Sequence, residues 1–271
     1  MGRQSFAKYS GCGNDFIFFD GIGTSVAHQI DAAFIQAVCH RDKGIGADGV
    51  VVVEKASPPA DAAMRIFNSD GSEAAMCGNA LRCVLPFLCA QLRWPRRPYH
   101  IKTAHYTHKV QFSPDGVTAT MSPPYKLSWD ITLNIPSHGP LLVHYLDTGV
   151  PHAVFFTEQL YGDNFFKLAR AIRHHAEFIP LGVNVTAVQC AAGNNLLVRT
   201  FERGVEAETQ ACGTGATAAA LAACRLGYSH SPVTVIPFSN KPLTISFIAS
   251  GNSYRNVVIS GEAQLLVEGF L

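Results

Sequence analysis

Charge is scarce in this chain. Charged residues make up 15% of its 271 positions and the net formal charge is +1, with no basic block, which excludes the electrostatic footprint of a nucleic-acid-binding protein. One short stretch, Arg93-Trp94-Pro95-Arg96-Arg97, is basic and aromatic and reads as a solvated loop. Long apolar runs are missing as well. None approaches the ~20 residues that span a bilayer, so no membrane partner is expected. The start, Met1-Gly2-Arg3-Gln4-Ser5, lacks the apolar core of a secretory leader and leads into strand-like sequence. The chain is therefore expected in the cytoplasm, with its eight cysteines as thiols. No Cys-x-x-Cys pair occurs, and Cys77, Cys83 and Cys89 have no histidine at zinc spacing. His174-His175, on an expected helix, has no carboxylate or cysteine at ligand spacing, so no metal site is expected.

What is abundant is apolar material, at 48% of residues, enough for one large domain or two of about 130 residues each. The chain also repeats itself. Gly13-Asn14-Asp15-Phe16-Ile17-Phe18-Phe19 returns as Gly149-Val150-Pro151-His152-Ala153-Val154-Phe155-Phe156, and Gly46 returns as Gly182, both 136 positions on. Arg65-Ile66-Phe67-Asn68 matches Arg199-Thr200-Phe201-Glu202, and Glu73-Ala74-Ala75-Met76-Cys77-Gly78 matches Glu208-Thr209-Gln210-Ala211-Cys212-Gly213. Four landmarks in one order and at nearly one offset, half the chain length, indicate two homologous halves. Helical spacing recurs over Ile30–Val38 and Phe165–Ile172. Second helices are expected from Asn79 to about Leu92, kinked or shortened by Pro86, and from Thr214 to about Leu226. The stretch Ala216–Cys224 is apolar nearly all round and predicts a buried central helix. Short β-rich runs lie between: 16–19, 50–54, 64–68, 153–157, 195–201, 233–236, 243–248 and 256–260. Two helices per half do not make βαβ alternation. The expected class is α+β, two pseudo-symmetric halves, each a curved, mostly antiparallel sheet around a central helix. Pro123-Pro124 marks the crossing between halves.

Each half places a Cys-Gly pair, Cys77-Gly78 or Cys212-Gly213, where a strand-like run meets the buried helix. A thiol there feels the positive end of the helix dipole and unpaired N–H groups, which favour thiolate. The glycine lets a ligand approach the backbone, and Asn79 and Thr214 can cap the helix or donate hydrogen bonds. The same N–H groups suit a carboxylate. With the halves facing, two helix starts would grip one α-carboxylate and a thiol would flank each face of its Cα. One sulfur takes the Cα proton, preorganised donors stabilise the charge that develops, and the other sulfur protonates the opposite face. The expected chemistry is two-base inversion by Cys77 and Cys212. Cys12, Cys39, Cys83, Cys89, Cys190 and Cys224 read instead as buried structural thiols.

These segments, with Gly44-Ile45-Gly46-Ala47-Asp48-Gly49, Phe67-Asn68-Ser69-Asp70-Gly71-Ser72-Glu73, Pro151-His152, Glu202-Arg203-Gly204 and Ala211-Cys212-Gly213-Thr214-Gly215, give a chain that resembles the diaminopimelate epimerase family over nearly its whole length. The resemblance implies a two-domain fold without pyridoxal phosphate or another cofactor. It implies conversion of LL- to meso-diaminopimelate for lysine and peptidoglycan synthesis. It also implies that the C-terminal strand returns to the first domain, giving domains 1–121 plus 260–271 and 122–259. A small-molecule substrate is the implied partner, and a homodimer is left open. By position, Cys77 and Cys212 are the implied bases, and Gly78, Asn79, Gly213 and Thr214 the carboxylate-binding helix starts. Glu202 would lie near the substrate ammonium, and Arg203 with Asn68 and Asn184 would clamp the distal carboxylate. Asn14 would line the pocket and His152 would stand beside the thiols. From the residues alone other readings stay open: Asn68 and Asn184 as turn caps, Asn14 as a left-handed turn residue, Glu202-Arg203 as a solvated pair, and His152 as packing.

One position departs from the family pattern. The family usually reads Gly-Asn-Pro-His in the second half, whereas this chain has Gly149-Val150-Pro151-His152. Valine cannot hydrogen-bond the distal amino-acid head, so relaxed specificity, reaching a smaller acidic amino acid such as glutamate, is expected. The rivals are a proline- or glutamate-type racemase on the same fold and a non-catalytic amino-acid-binding protein. Glu202-Arg203, suited to a second charged head, discriminates against a proline substrate.

Overall fold

The computed structural model describes residues 3–24, 30–136, 138–162, 164–251 and 253–271, so the Met1-Gly2 start of the leader reading lies outside the described residues. The chain divides into two compact units, Met1–Thr120 with Ser260–Leu271, and Met121–Ile259.

In the first unit β1 (Ser5–Gly11) and β2 (Asn14–Asp20) form a hairpin. Its turn puts Cys12 and Gly13, not Asn14, in the left-handed region. β2 runs parallel to β3 (Gly49–Lys55), with α1 (Ala32–Cys39) as the crossover. β3 is antiparallel to β4 (Ala62–Asn68), which is antiparallel to β5 (Glu73–Ala74). After α2 (Gly78–Ala90) comes β6 (Tyr99–Lys102), parallel to β4, then the antiparallel β7 (Thr107–Ser113) and β8 (Gly116–Thr120). The last strand, Gln264–Phe270, pairs antiparallel with β1.

The second unit repeats this plan. β9 (Tyr125–Ile135) pairs antiparallel with β10 (Gly139–Asp147), and β10 with β11 (Pro151–Phe156). β11 runs parallel to β12 (Asn184–Ala191) across α3 (Phe165–Arg173). β12 is antiparallel to β13 (Asn195–Glu202), and β13 to β14 (Ala207–Glu208). Beyond α4 (Gly213–Arg225), β15 (Val233–Ile236) lies parallel to β13 and antiparallel to β16 (Leu243–Ser250), and β17 (Ser253–Gly261) follows. Each unit is α+β and mostly antiparallel. Each helix nonetheless bridges two parallel strands: a parallel pair needs a long crossover, and these helices supply it.

The elements form where local chemistry allows. Asp31 accepts from the Phe34 N–H at 2.8 Å and starts α1 two residues after Ile30. α1 and α3 cover outer cores: Ile17, Phe19, Ile35, Val38 and Val50 in one unit, and Phe155, Phe165, Ala169, Ile172 and Phe201 in the other. α2 and α4 are the central helices. α2 touches β1, β2, β4, β7 and β8, while α4 touches β10 to β13, β15 and β16. Leu81, Val84, Leu85 and Leu88 are fully buried on α2, each burial contributing about 1.5–3 kcal/mol. Pro86 lies inside α2, which still runs on to Ala90. α4 is buried through Ala223, its alanines letting strands close in on all sides. His174 is the C-cap of α3 and His175 lies beyond it, so the histidine pair is not helical as expected. Likewise Cys190 is exposed, and Cys89 and Cys224 only half-buried, because each sits near the solvent end of its element.

Candidate active site

Cys77 and Cys212 hold the same place in their units. Each is the N-cap of a central helix, with extended backbone at φ −144° and −121°. The shared Glu-x-x-x-Cys spacing has a structural cause. Glu73 on β5 is gripped by Arg65 of β4 through two hydrogen bonds of 2.9 and 2.8 Å. Glu208 on β14 is gripped by Arg199 of β13 at 2.7 and 2.8 Å. These bidentate braces fix the strand from which each cysteine departs.

Around Cys77 the surroundings are polar and charged. Asn79, one residue into α2, donates to Asn14 Oδ1 at 2.8 Å, and Asn14 Nδ2 donates to Asp48 Oδ2 at 3.1 Å. Arg82, fully buried, donates to the Gly78 carbonyl at 3.1 Å, to Asn79 Oδ1 at 2.9 Å and to Cys12 Sγ at 3.2 Å. None of these partners is a carboxylate, and Arg82 Nε has no partner among the described residues. Arg82 thus places a buried cation at the helix start among carbonyl, amide and thiol groups.

The start of α4 has no arginine. Thr217, in the place of Arg82, donates to the Gly213 carbonyl at 2.9 Å. Cys212 is buried and its sulfur accepts from the Gly215 N–H at 3.4 Å, with the Thr214 hydroxyl at 3.3 Å. Burial, and then the negative charge of Glu202, push the Cys212 thiol well up from its ordinary value. Thr214 Oγ1 also lies 2.9 Å from Nε2 of His152, whose Nδ1 lies 3.1 Å from Thr186 Oγ1. Burial, with the Arg203 charge adding to it, pulls His152 down to about 3, so its ring is neutral near pH 7. Asn184 Oδ1 accepts from the Arg203 N–H at 2.8 Å, which leaves Asn184 Nδ2 at 3.5 Å from His152 Nε2.

The second unit therefore gathers Cys212, Gly213, Thr214, His152, Asn184, Glu202 and the Arg203 backbone, and the first gathers Cys77, Gly78, Asn79 and Asn14. Glu202 Oε1 accepts from Thr209 Oγ1 at 2.6 Å. The Arg203 guanidinium donates to the Leu181 carbonyl at 2.7 Å. Asn68 is exposed and donates to Ser72 Oγ at 2.9 Å, within its own turn. Sequence reasoning overlooked Arg82, Asp48, Thr186 and Thr200. Arg82 was visible as the lone charge on an apolar helix. The threonines were not, because threonine is an ordinary strand residue.

The sequence profile described as diaminopimelate epimerase matches residues 6–127 and 144–266. A diaminopimelate epimerase from Methanocella arvoryzae is 38% identical over 282 residues, covering 99% of this chain and 97% of the relative. The chain belongs to the diaminopimelate epimerase family. Another diaminopimelate epimerase, from Aquifex aeolicus, is 36% identical and covers 99% of this chain and 98% of its own. The fold extends further: a hydroxyproline epimerase from Agrobacterium vitis superposes with a TM-score of 0.75 at 17% identity, covering 99% of this chain and 91% of that one. The diaminopimelate epimerase family is a family of isomerases, and membership assigns this chain to that class. Among the described residues no helix is long and apolar enough to cross a membrane, and no group of three His, Cys, Asp or Glu side chains could hold a metal ion.

Proposed function

We propose that the chain epimerises LL-diaminopimelate to the meso isomer with Cys77 and Cys212 as its two bases and without a cofactor, as a cytoplasmic step toward lysine and peptidoglycan. The observation that carries this reading is the duplicated helix start, with one thiol at the N-cap of α2 and one at the N-cap of α4. The thiolate sulfur takes the Cα proton, the thiol sulfur returns a proton to the opposite face, and the roles exchange with the product. N–H groups at Gly78, Asn79, Gly213 and Thr214 hold the α-carboxylate and stabilise the charge that builds on it. Glu202 takes the substrate ammonium. Arg203, Asn184 and Asn68 serve the distal carboxylate, Asn14 lines the pocket through its bond to Asn79, and His152 supports Cys212 through Thr214.

Val150 stands where the first unit has Asn14, and it offers the distal head no hydrogen bond. A missing polar contact costs about 1–3 kcal/mol, which lowers preference without abolishing turnover, so glutamate is proposed as a slower second substrate.

In D₂O, LL-diaminopimelate is expected to give the meso isomer carrying one deuteron at the inverted Cα. Cys77→Ala and Cys212→Ala should each lower epimerisation at least about 100-fold, the scale of one acid–base group. Full activity in either variant would overturn the two-base reading. Deuterium uptake from diaminopimelate but not glutamate would remove the relaxed specificity alone.

A further inference from the structure

A buried polar chain runs through the second unit, and the equivalent strand positions of the first unit are apolar. It comprises Thr200 Oγ1, Thr186 Oγ1 at 3.3 Å, His152 Nδ1 at 3.1 Å from Thr186, and Thr214 Oγ1 at 2.9 Å from His152 Nε2. All four residues are buried. Strand register identifies their equivalents. His152 opposes Asn184 as Phe16 opposes Gly49, and Val154 opposes Thr186 as Phe18 opposes Val51. Thr186 opposes Thr200 as Val51 opposes Ile66. Where one unit has Phe16, Val51 and Ile66, all buried, the other therefore has His152, Thr186 and Thr200. The fold itself needs only apolar side chains there, so the polar set has another purpose.

The direction of the chain can be read from one group that can only donate. The Arg203 N–H donates to Asn184 Oδ1, so the Asn184 NH₂ faces His152 Nε2. Nε2 is then the acceptor, for Asn184 and for the Thr214 hydroxyl, and the proton of the neutral ring lies on Nδ1. That proton is donated to Thr186 Oγ1, and Thr186 in turn donates to Thr200.

We propose that Thr186, backed by Thr200, is a positioning residue: it holds His152 as the Nδ1–H tautomer, turns the Thr214 hydroxyl toward Nε2 rather than toward sulfur, and so keeps Cys212 in its resting state as the protonated acid. This rests on the two-base reading and adds which partner carries the proton at rest. A thiolate at Cys212 would keep the Gly215 N–H but lack the Thr214 donor, and would face the Glu202 carboxylate. Among the described residues, Glu202 acts on Cys212 by its charge and by a side-chain hydrogen bond, and the Arg203 charge acts on His152. Arg203 opposes protonation of the ring, so His152 orients without accepting a full proton.

The test reads the tautomer directly. In protein labelled with ¹⁵N-histidine, the His152 signal is identified by its loss in His152→Gln. Nδ1 is expected in the protonated, pyrrole-like range and Nε2 in the unprotonated, pyridine-like range. Thr186→Val places in this strand the residue that Val51 already is in the other unit. It should weaken the preference for Nδ1–H, which Asn184 then sets alone, and lower kcat about tenfold with little change in KM, the scale of one hydrogen bond, while Thr186→Ser restores both. A wild-type ring protonated on Nε2 overturns the proposal, and the wild-type spectrum decides this even where a variant fails to fold. A valine variant that changes only one of the two readouts, or neither, also overturns it. The tautomer needs no turnover to be seen, so a wild-type chain without epimerase activity would fail the two-base reading separately.

Discussion

The two helix starts share a backbone and differ in how they use charge. At α2 the buried Arg82 guanidinium bonds the Gly78 carbonyl and Asn79, beside a half-buried thiol. At α4 the Thr217 hydroxyl does the carbonyl's share and a neutral histidine stands behind a buried thiol. The repeat supplies two thiols at equal positions, and the two-base reaction proposed for them needs unequal environments. The difference lies in the second layer of residues, while the cysteine, the glycine and the Arg–Glu brace are common to both units.

Three comparisons between equivalent positions would sharpen or break this picture. The largest effect is expected at the braces. Arg199 and Glu208 are 8% and 7% exposed, against 41% and 49% for Arg65 and Glu73. The Arg199 guanidinium also lies 4.0 Å from the Phe165 ring centre. Arg199→Met should therefore cost about 3–5 kcal/mol by stranding Glu208, whereas Arg65→Met should cost under about 1 kcal/mol. Urea unfolding of both variants measures this, and equal losses would show the two braces to be energetically alike.

A smaller effect is expected one turn into the helices, where Gly215 is matched by Ala80. A Cβ on Gly215 would come within 2.8 Å of Thr200 Oγ1 and 3.0 Å of Thr186 Oγ1. Gly215→Ala should cost about 1–3 kcal/mol by overpacking. The reciprocal Ala80→Gly should cost about 0.5–1 kcal/mol, the ordinary penalty of a helical glycine. Thermal unfolding of the pair separates crowding by the threonine chain from helix propensity.

The third comparison is one of pH. In the unfolded chain the His152 ring takes its proton near the ordinary value of 6.5, but in the fold only at about 3. Between those values the unfolded state binds the extra proton, so this contribution is complete above pH 6.5 and is lost as pH falls. His152→Phe, the residue of the first unit, should flatten stability against pH between 6 and 5 by about 1 kcal/mol per pH unit. An unchanged slope, followed by urea midpoints across that range, would mean that the ring is protonated in the fold.

Much of this was legible in the chain. The internal repeat located both helix starts because Cys-Gly, the preceding glutamate and the Arg-x-Phe strand recur in order. Helical spacing found α1 and α3, and the apolar runs that follow each Cys-Gly found α2 and α4. Parallel pairing escaped, since β2 and β3 look alike whichever way they run. Asn68 and Asn184, read as a pair from the family pattern, have different local roles: one bonds Ser72 in its own turn and the other ties the Arg203 backbone beside His152. Thr186 and Thr200 escaped because a hydroxyl in a strand acquires meaning only through what lies across the register.

The Arg–Glu braces carry a further consequence. They hold each cysteine by the strand, so the turns at 69–72 and 203–206 are relieved of mechanical duty. Those turns begin at Asn68 and Arg203, the residues assigned to the distal end of the substrate. On the proposed assignment, recognition at Asn68 is thereby separate from reactivity at Cys77, whereas at Arg203 the two stay linked through Asn184 and His152.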